Sequence, residues 1–322
     1  MNIALYPFMM NNVNVLGYEL DESYYDIQGA YGYNGVVTSS YEPLFIKKFY
    51  YELQRYCLSN NIIAEFTRFH PLLKNEEFSR GYLEINYNRP TVYIDLINSY
   101  NVIYENFAHS VKSNLKKAKE NNLSASIYKH EYPYKKEFIE MYNETMKRVN
   151  VISKNAYDTN FFERTFNNLP IIHFVIFKDN MPIASAICLA HNNYLHIHLE
   201  VSRKEYWYLR PNDLLIKEII QYGSDNGYTK IHLGGGRTVS PDDSLLRFKK
   251  KFSNLTSDFY IGGKIYDEKV YTNVCKQWND RYQHLANKYK NNILKYKFTD
   301  DINYIQEDSD HLFDYDKYLL KK

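Results

Sequence analysis

Apolar positions recur along this chain with two alternating periods, and the switch between them sets out the elements before any motif is considered. Between Pro43 and Cys57, Phe45, Phe49, Leu53 and Tyr56 fall at helical spacing, and Ile62 to Phe69 then forms a short apolar run suited to a strand. Thr91 to Leu96 predicts another strand. From Glu105 to Glu120, Phe107, Val111, Leu115 and Ala118 form one apolar stripe, with Lys112, Lys116 and Lys119 in a row beside it. Such a row is either a solvated helix face or a basic surface.

Past Asn121-Asn122 the order becomes more specific. Ala125 to Lys129 predicts a strand, Phe138 to Val149 a helix and Phe161 to Phe166 a shorter one. Three strands follow, Ile171 to Phe177, Ile183 to Ala190 and Tyr194 to Val201, separated by the hairpin-like turns Lys178-Asp179-Asn180 and Asn192-Asn193. A helix opened by Pro211 and closed by Gly227 leads into the strand Lys230 to Leu233, ended by Gly234, Gly235 and Gly236. A helix from Ser244 to Lys251, a strand pair around Phe259 and Ile265, and a long helix from Glu268 to Tyr289 complete the pattern.

From residue 125 that order is strand, two helices, three antiparallel strands, helix, strand, helix, strand. It resembles the topology of the GNAT acyltransferases, whose fourth and fifth strands splay apart to admit an acyl donor. Here those strands are Tyr194 to Val201 and Lys230 to Leu233. The first half reads as a worn version of the same order. The expected fold class is therefore mixed α/β, or α+β: tandem GNAT-like domains, each a mostly antiparallel mixed sheet flanked by helices. The expected boundaries are 1–124 for a degenerate first domain, 125–295 for an acyltransferase domain and 296–322 for a polar tail.

Length and charge sharpen this only by exclusion. The 322 residues suit two ordinary domains, and a net charge of +2 dictates no partner. Cys57, Cys188 and Cys275 form no metal-ligand or redox spacing, which suits a reduced compartment. Met1 to Met10 carries no basic segment ahead of an apolar run, and no stretch reaches the about 20 apolar residues of a membrane span. A cytoplasmic protein without a transmembrane segment is expected. There is no G-x-S-x-G and no cysteine nucleophile motif. His191, His196 and His198 lie near one another without an accompanying carboxylate pattern, so no metal is expected.

The segment His232-Leu-Gly-Gly-Gly-Arg237, followed by Asp243-Ser-Leu-Leu-Arg-Phe-Lys-Lys-Lys-Phe252, carries the strongest chemistry. Three glycines at a strand end either let backbone N–H groups face an anion or oxyanion, or make a tight bend needing positive φ. With Asp26-Ile-Gln-Gly-Ala-Tyr-Gly-Tyr33, Arg68-Phe-His-Pro-Leu72, Tyr93-Ile-Asp-Leu96, Asn114-Leu-Lys-Lys-Ala118, Met141 to Arg148 and Arg210-Pro-Asn-Asp-Leu-Leu215, it resembles the Fem-type aminoacyltransferases and their GNAT-like relatives over nearly the whole chain.

That resemblance implies transfer of an acyl or aminoacyl group to an amine of a cell-envelope precursor. The acceptor would be a nucleotide- or lipid-linked sugar or peptide, and the donor aminoacyl-tRNA or acyl-CoA, with no tightly bound cofactor and no DNA. Lys249 matches the family's Phe-Lys position and is the candidate for contacting the donor or stabilising the oxyanion. Phe248 beside it either packs on substrate or fills core. Glu200 stands at the end of the fourth strand, where many GNAT enzymes place a general base. Gly234, Gly235 and Gly236 are donor-side candidates, and Arg237 is a candidate for an anionic group. Asp26, Tyr31, Tyr33, Arg68 and His70 are the acceptor-side candidates, Arg68 through a bidentate phosphate contact. Two departures bear on the donor. Trp207-Tyr-Leu-Arg-Pro-Asn212 replaces the Arg/Gln-x-x-Gly-x-Gly/Ala nest for the CoA pyrophosphate, and no connection in the second half is long enough for a tRNA-binding helical arm. The alternative is a non-catalytic RNA- or partner-binding module on the same scaffold, supported by the lysine row.

Overall fold

Pro43 begins the first helix because its ring supplies helical φ where no backbone donor is needed. The side chains this helix buries are Ile46, Tyr50, Leu53 and Cys57, so the inward stripe is shifted from that expected, and Tyr56 is exposed. The computed structural model describes residues 1–29, 32–148 and 157–300. Its elements are β1 (Ala4–Leu5), β2 (Met9–Asn12), β3 (Tyr25–Gln28), β4 (Val37–Thr38), α1 (Pro43–Ser59), β5 (Ile62–Arg68), β6 (Glu84–Asp95), α2 (Tyr100–Glu105), α3 (His109–Glu120), β7 (Ser124–Tyr128), α4 (Lys135–Arg148), α5 (Thr159–Asn168), β8 (Ile171–Lys178), β9 (Met181–His191), β10 (Tyr194–Ser202), α6 (Pro211–Asp225), β11 (Lys230–Gly235), α7 (Ser244–Lys250), β12 (Thr256–Ile265), α8 (Glu268–Arg281) and α9 (Gln283–Tyr289).

The chain divides into two units, one of Met1–Pro90 with the chain from Asp258 onward, the other Thr91–Ser257. This differs from the expected break at 124/125. Residues 91–95 of β6 pair with β11, and Val92, Ile94, Ile103, Phe107 and Val111 share one core with α6. That burial draws the segment before β7 into the second unit. Residues from 258 on belong to the first unit because β12 pairs with β5 and because α8 packs Tyr271, Val274 and Trp278 onto Ile63, Ala64 and Ile261.

In the first unit β2 and β3 are antiparallel, β3 and β5 parallel, and β5 and β12 antiparallel. β12 is one strand where two were expected. Gly262 and Gly263 within it have to be glycine, because a Cβ at Gly262 would lie 2.7 Å from Phe69 and one at Gly263 2.7 Å from the Glu65 carbonyl. The expected long helix after residue 268 is two, α8 and α9, meeting at Tyr282.

In the second unit the strand order is β6-β11-β10-β9-β8-β7, with β10–β11 the parallel pair and every other pair antiparallel. Each unit is thus a mostly antiparallel mixed sheet flanked by helices. Against one face of the second sheet, α3 and α6 bury Val111, Leu215, Ile216, Ile219 and Ile220 on Ile172, Phe174, Ala184, Ala186, Cys188, Leu195 and Ile197. Against the other, α4 and α5 pack Phe138, Met141, Tyr142, Phe162 and Phe166 on Ile171, Ile187 and Val201. No described helix is long and apolar enough to cross a membrane.

The first unit also buries an acid. Glu65 has no exposed surface and accepts from Tyr266 Oη at 2.7 Å. Burial pushes its carboxyl up to about 7, against the opposing pulls of the Tyr266 hydrogen bond and the Lys264 charge. A folded-state pKa above the unfolded value means that stability is full below about 4.5 and falls as pH rises towards about 7. The loss is about 3 kcal/mol at the rate of about 1.4 kcal/mol per unit. Urea unfolding across this range should show that decline in the wild type and a flatter profile in Glu65→Gln.

Candidate functional site

β10 and β11 run side by side for only three residue pairs, Tyr194 with Lys230, Leu195 with Ile231 and His196 with His232. Beyond His196, β10 continues six residues to Ser202 and β11 three to Gly235 without pairing to each other, so the two strands part. Irregularities on both sides reinforce the split. The β10–β9 register slips between Ile197 and Leu199, and the β11–β6 register between His232 and Gly234.

The slip in β10 moves later side chains to the opposite face. Before it, Leu195 and Ile197 lie in the α6-side core, and after it Leu199 and Val201 lie on the α4 side. Glu200, opposite Ala186, therefore faces the α6 side, where α7 stands. Its carboxyl is pushed up by burial, an effect the Lys249 charge opposes.

Lys249 is 7 % exposed and donates from Nζ to the Gly235 carbonyl oxygen at 2.9 Å. Leaving water costs an ammonium several kcal/mol, about the size that one good acceptor and a nearby carboxylate offset. Gly234 makes this approach possible: its φ is 80°, and a Cβ there would lie 3.1 Å from Nζ.

The glycine loop is fixed by Asp243, a residue not singled out from the sequence. Its Oδ1 accepts from the N–H groups of Leu245 and Leu246 at 2.9 Å, capping α7, and its Oδ2 accepts from the N–H groups of Arg237 and Thr238 at 3.1 Å. Burial raises this carboxyl, but the hydrogen bonds outweigh it and hold the group below the ordinary range. Gly236 has to be glycine, since a Cβ would come within 2.5 Å of Oδ1. Asp followed by Ser-Leu-Leu is an N-cap pattern, the signal by which it could have been found.

The expected row of N–H donors after the glycines is thus directed at Asp243 at Arg237 and Thr238, and the cationic group at this strand end is Lys249. The Arg237 side chain is exposed. Phe248 packs in the core against Phe252, ring centroids 5.4 Å apart.

The first turn of α6 is not built for phosphate. Pro211 has no N–H, Arg210 before it is left-handed with φ 67°, and the buried Asp213 carboxylate takes the electropositive end of the helix while accepting from Asn114 Nδ2 at 3.0 Å.

The acceptor-side candidates lie in the first unit. Asp26 is fully buried and ion-paired to Lys297 at 2.7 Å, with Asn11 and Tyr296 also donating to it. Tyr33 packs edge-on against His70 and Phe259. His70 is pushed down to about 4 by burial, and its Nδ1 accepts from the N–H groups of Leu72 and Leu73, closing a turn. The Arg68 guanidinium lies 4.7 Å from the Phe66 ring centre. Tyr31 lies outside the described residues. In the lysine row, Lys112 pairs with Glu105 at 2.8 Å and Lys116 with Glu120 at 3.9 Å, as on a solvated helix face.

Residues 136–250, which span the parting strands, the glycines and Lys249, match the family described as an acetyltransferase (GNAT) domain. Those residues are similar to GNAT domains. No curated protein matches the chain. Among solved structures, FemX is similar at 12 % identity over 79 % of this chain and 83 % of its own, with a TM-score of 0.58. L-PGS from Bacillus licheniformis is similar at 11 % identity over 80 % of each chain, with a TM-score of 0.55. An Agrobacterium fabrum structure described as the C-terminal domain of a lysylphosphatidylglycerol synthetase gives 12 % identity, 82 % and 84 % coverage, and a TM-score of 0.54. At these identities the likeness is one of fold. No group of three or more His, Cys, Asp or Glu among the described residues is placed to hold a metal ion.

Gly234→Ala should cost about 2 kcal/mol, the strain of a left-handed non-glycine residue with a Cβ against Lys249. Urea unfolding would measure it, and Gly227→Ala, with positive φ but nothing within 4 Å of the added Cβ, separates the dihedral cost from the steric one.

Proposed function

We propose that this protein transfers an acyl or aminoacyl group to an amine of a cell-envelope precursor, an amino sugar of a surface polysaccharide or a peptidoglycan peptide. The observation that carries the reading is Lys249, buried at the mouth of the parted strands with its ammonium on the Gly235 carbonyl. Amide formation needs a donor carbonyl held where its developing oxyanion meets positive charge, and one preorganised donor in a dry site is worth about 100-fold or more in rate. Lys249 supplies that charge, and Glu200 lies on the same side of the sheet.

The donor is an activated carbonyl, either an aminoacyl-tRNA ester or an acyl-CoA thioester. Pro211 and the Asp213 carboxylate at the start of α6 weigh against a CoA pyrophosphate there. The acceptor is a nucleotide- or lipid-linked sugar or peptide. FemX and L-PGS share the scaffold, and that likeness is one of fold.

The reading is tested by offering the protein UDP-linked amino sugars and UDP-linked muramoyl peptides, with acetyl-CoA and aminoacyl-tRNAs as parallel donors. Transfer from one donor class is expected, with kcat lowered about 100-fold or more in Lys249→Ala. Thermal melting confirms that the variant is folded. Binding of acceptor without any product would favour a non-catalytic module instead.

A further inference from the structure

The last paired position of the parting strands holds two histidines. His196 and His232 are register partners, their Nδ1 atoms are 2.9 Å apart, and their rings lie nearly parallel, 20° and 5.0 Å between centres. A nitrogen-to-nitrogen distance of 2.9 Å is a hydrogen bond, and it needs a proton on one Nδ1 only. His232 is 1 % exposed, while His196 is partly exposed, so the inner ring stands behind an outer one that solvent and solutes reach.

The pair sits on the side of the sheet away from Lys249. His196 lies opposite Leu189, which packs with the α4–α5 core, and His232 lies opposite Tyr93, between the α6-side residues Ile231 and Leu233. Glu200 was carried to the other face by the slip at residues 197–199 and there answers the Lys249 charge. The gap between the strands thus has a cation and a carboxylate on one side and an imidazole pair on the other.

We propose that His196 accepts the proton of the attacking amine and that His232 is the residue that positions it. This rests on the acyl-transfer reading above. With His196 donating from Nδ1–H to His232 Nδ1, its Nε2 is the basic nitrogen and the inner ring stabilises the imidazolium that forms. The amine nitrogen bonds to the donor carbonyl carbon and the carbonyl π electrons move to oxygen, facing Lys249. The nitrogen's extra proton goes to His196 Nε2. Collapse of the adduct breaks the bond to the donor's sulfur or oxygen, and the proton on His196 leaves with that atom.

The test uses the full chain in two arms. In ¹⁵N NMR of the protein alone, at one pH, the ring nitrogens should show one protonated and one bare Nδ1 with scalar coupling across the hydrogen bond, lost in His232→Gln. In the transfer assay, His196→Gln should lose about 100-fold in kcat with little change in KM for the amine, and His232→Gln should lose less. His196→Ala should regain activity when imidazole is added in solution, which a merely structural role could not produce. A wild type that transfers beside a His196→Gln that keeps its kcat overturns the proposal, as does an absence of coupling. A wild type inactive with every donor and acceptor overturns the acyl-transfer reading itself, and the catalytic role with it.

Discussion

Three residue pairs of parallel ladder hold β10 to β11, and the arrangement of the candidate site follows from where that ladder stops. Each strand is anchored on its outer side by an antiparallel partner, β9 for one and β6 for the other. Each also takes an irregularity near the point of separation, which twists it away from its neighbour. Unpaired backbone at the centre of a sheet is otherwise costly, because every buried N–H and C=O needs a partner. Here the Gly235 carbonyl finds one in Lys249, so the same opening that exposes backbone also draws in a cation.

The slip in β10 does more than widen the gap. By reversing the faces of the residues after Ile197 it separates histidine chemistry from carboxylate chemistry along a single strand. An uninterrupted strand would have put His196, His198 and Glu200 on one side, and His198 is the residue the slip leaves between two registers. His198, the extra residue, is itself pushed down by burial.

Asp243 shows how a short loop is made rigid without secondary structure. Five donors converge on its two oxygens, tying the turn after β11 to the start of α7 and so placing Lys249 relative to Gly235. In the first unit the buried Asp26–Lys297 pair has an analogous holding role, fastening β3 to the chain after α9. Asp26, an acceptor-side candidate from the sequence, is thus fully buried and ion-paired.

The order of elements from residue 125 and the bend at Gly234 were legible in the sequence. Each depends on local spacing, turn chemistry or a motif within a few residues. What only the tertiary structure decided has the opposite character. The unit boundaries, the pairing of β12 with β5, the ion pair of Asp26 and the meeting of His196 with His232 all join residues far apart in the chain. The slip at residues 197–199 is the sharpest case, since alternation of apolar residues predicts one continuous strand, and only the packing of two different cores on its two faces makes the extra residue favourable. Local pattern reports which residues are apolar, whereas burial against a particular partner settles which face each one takes.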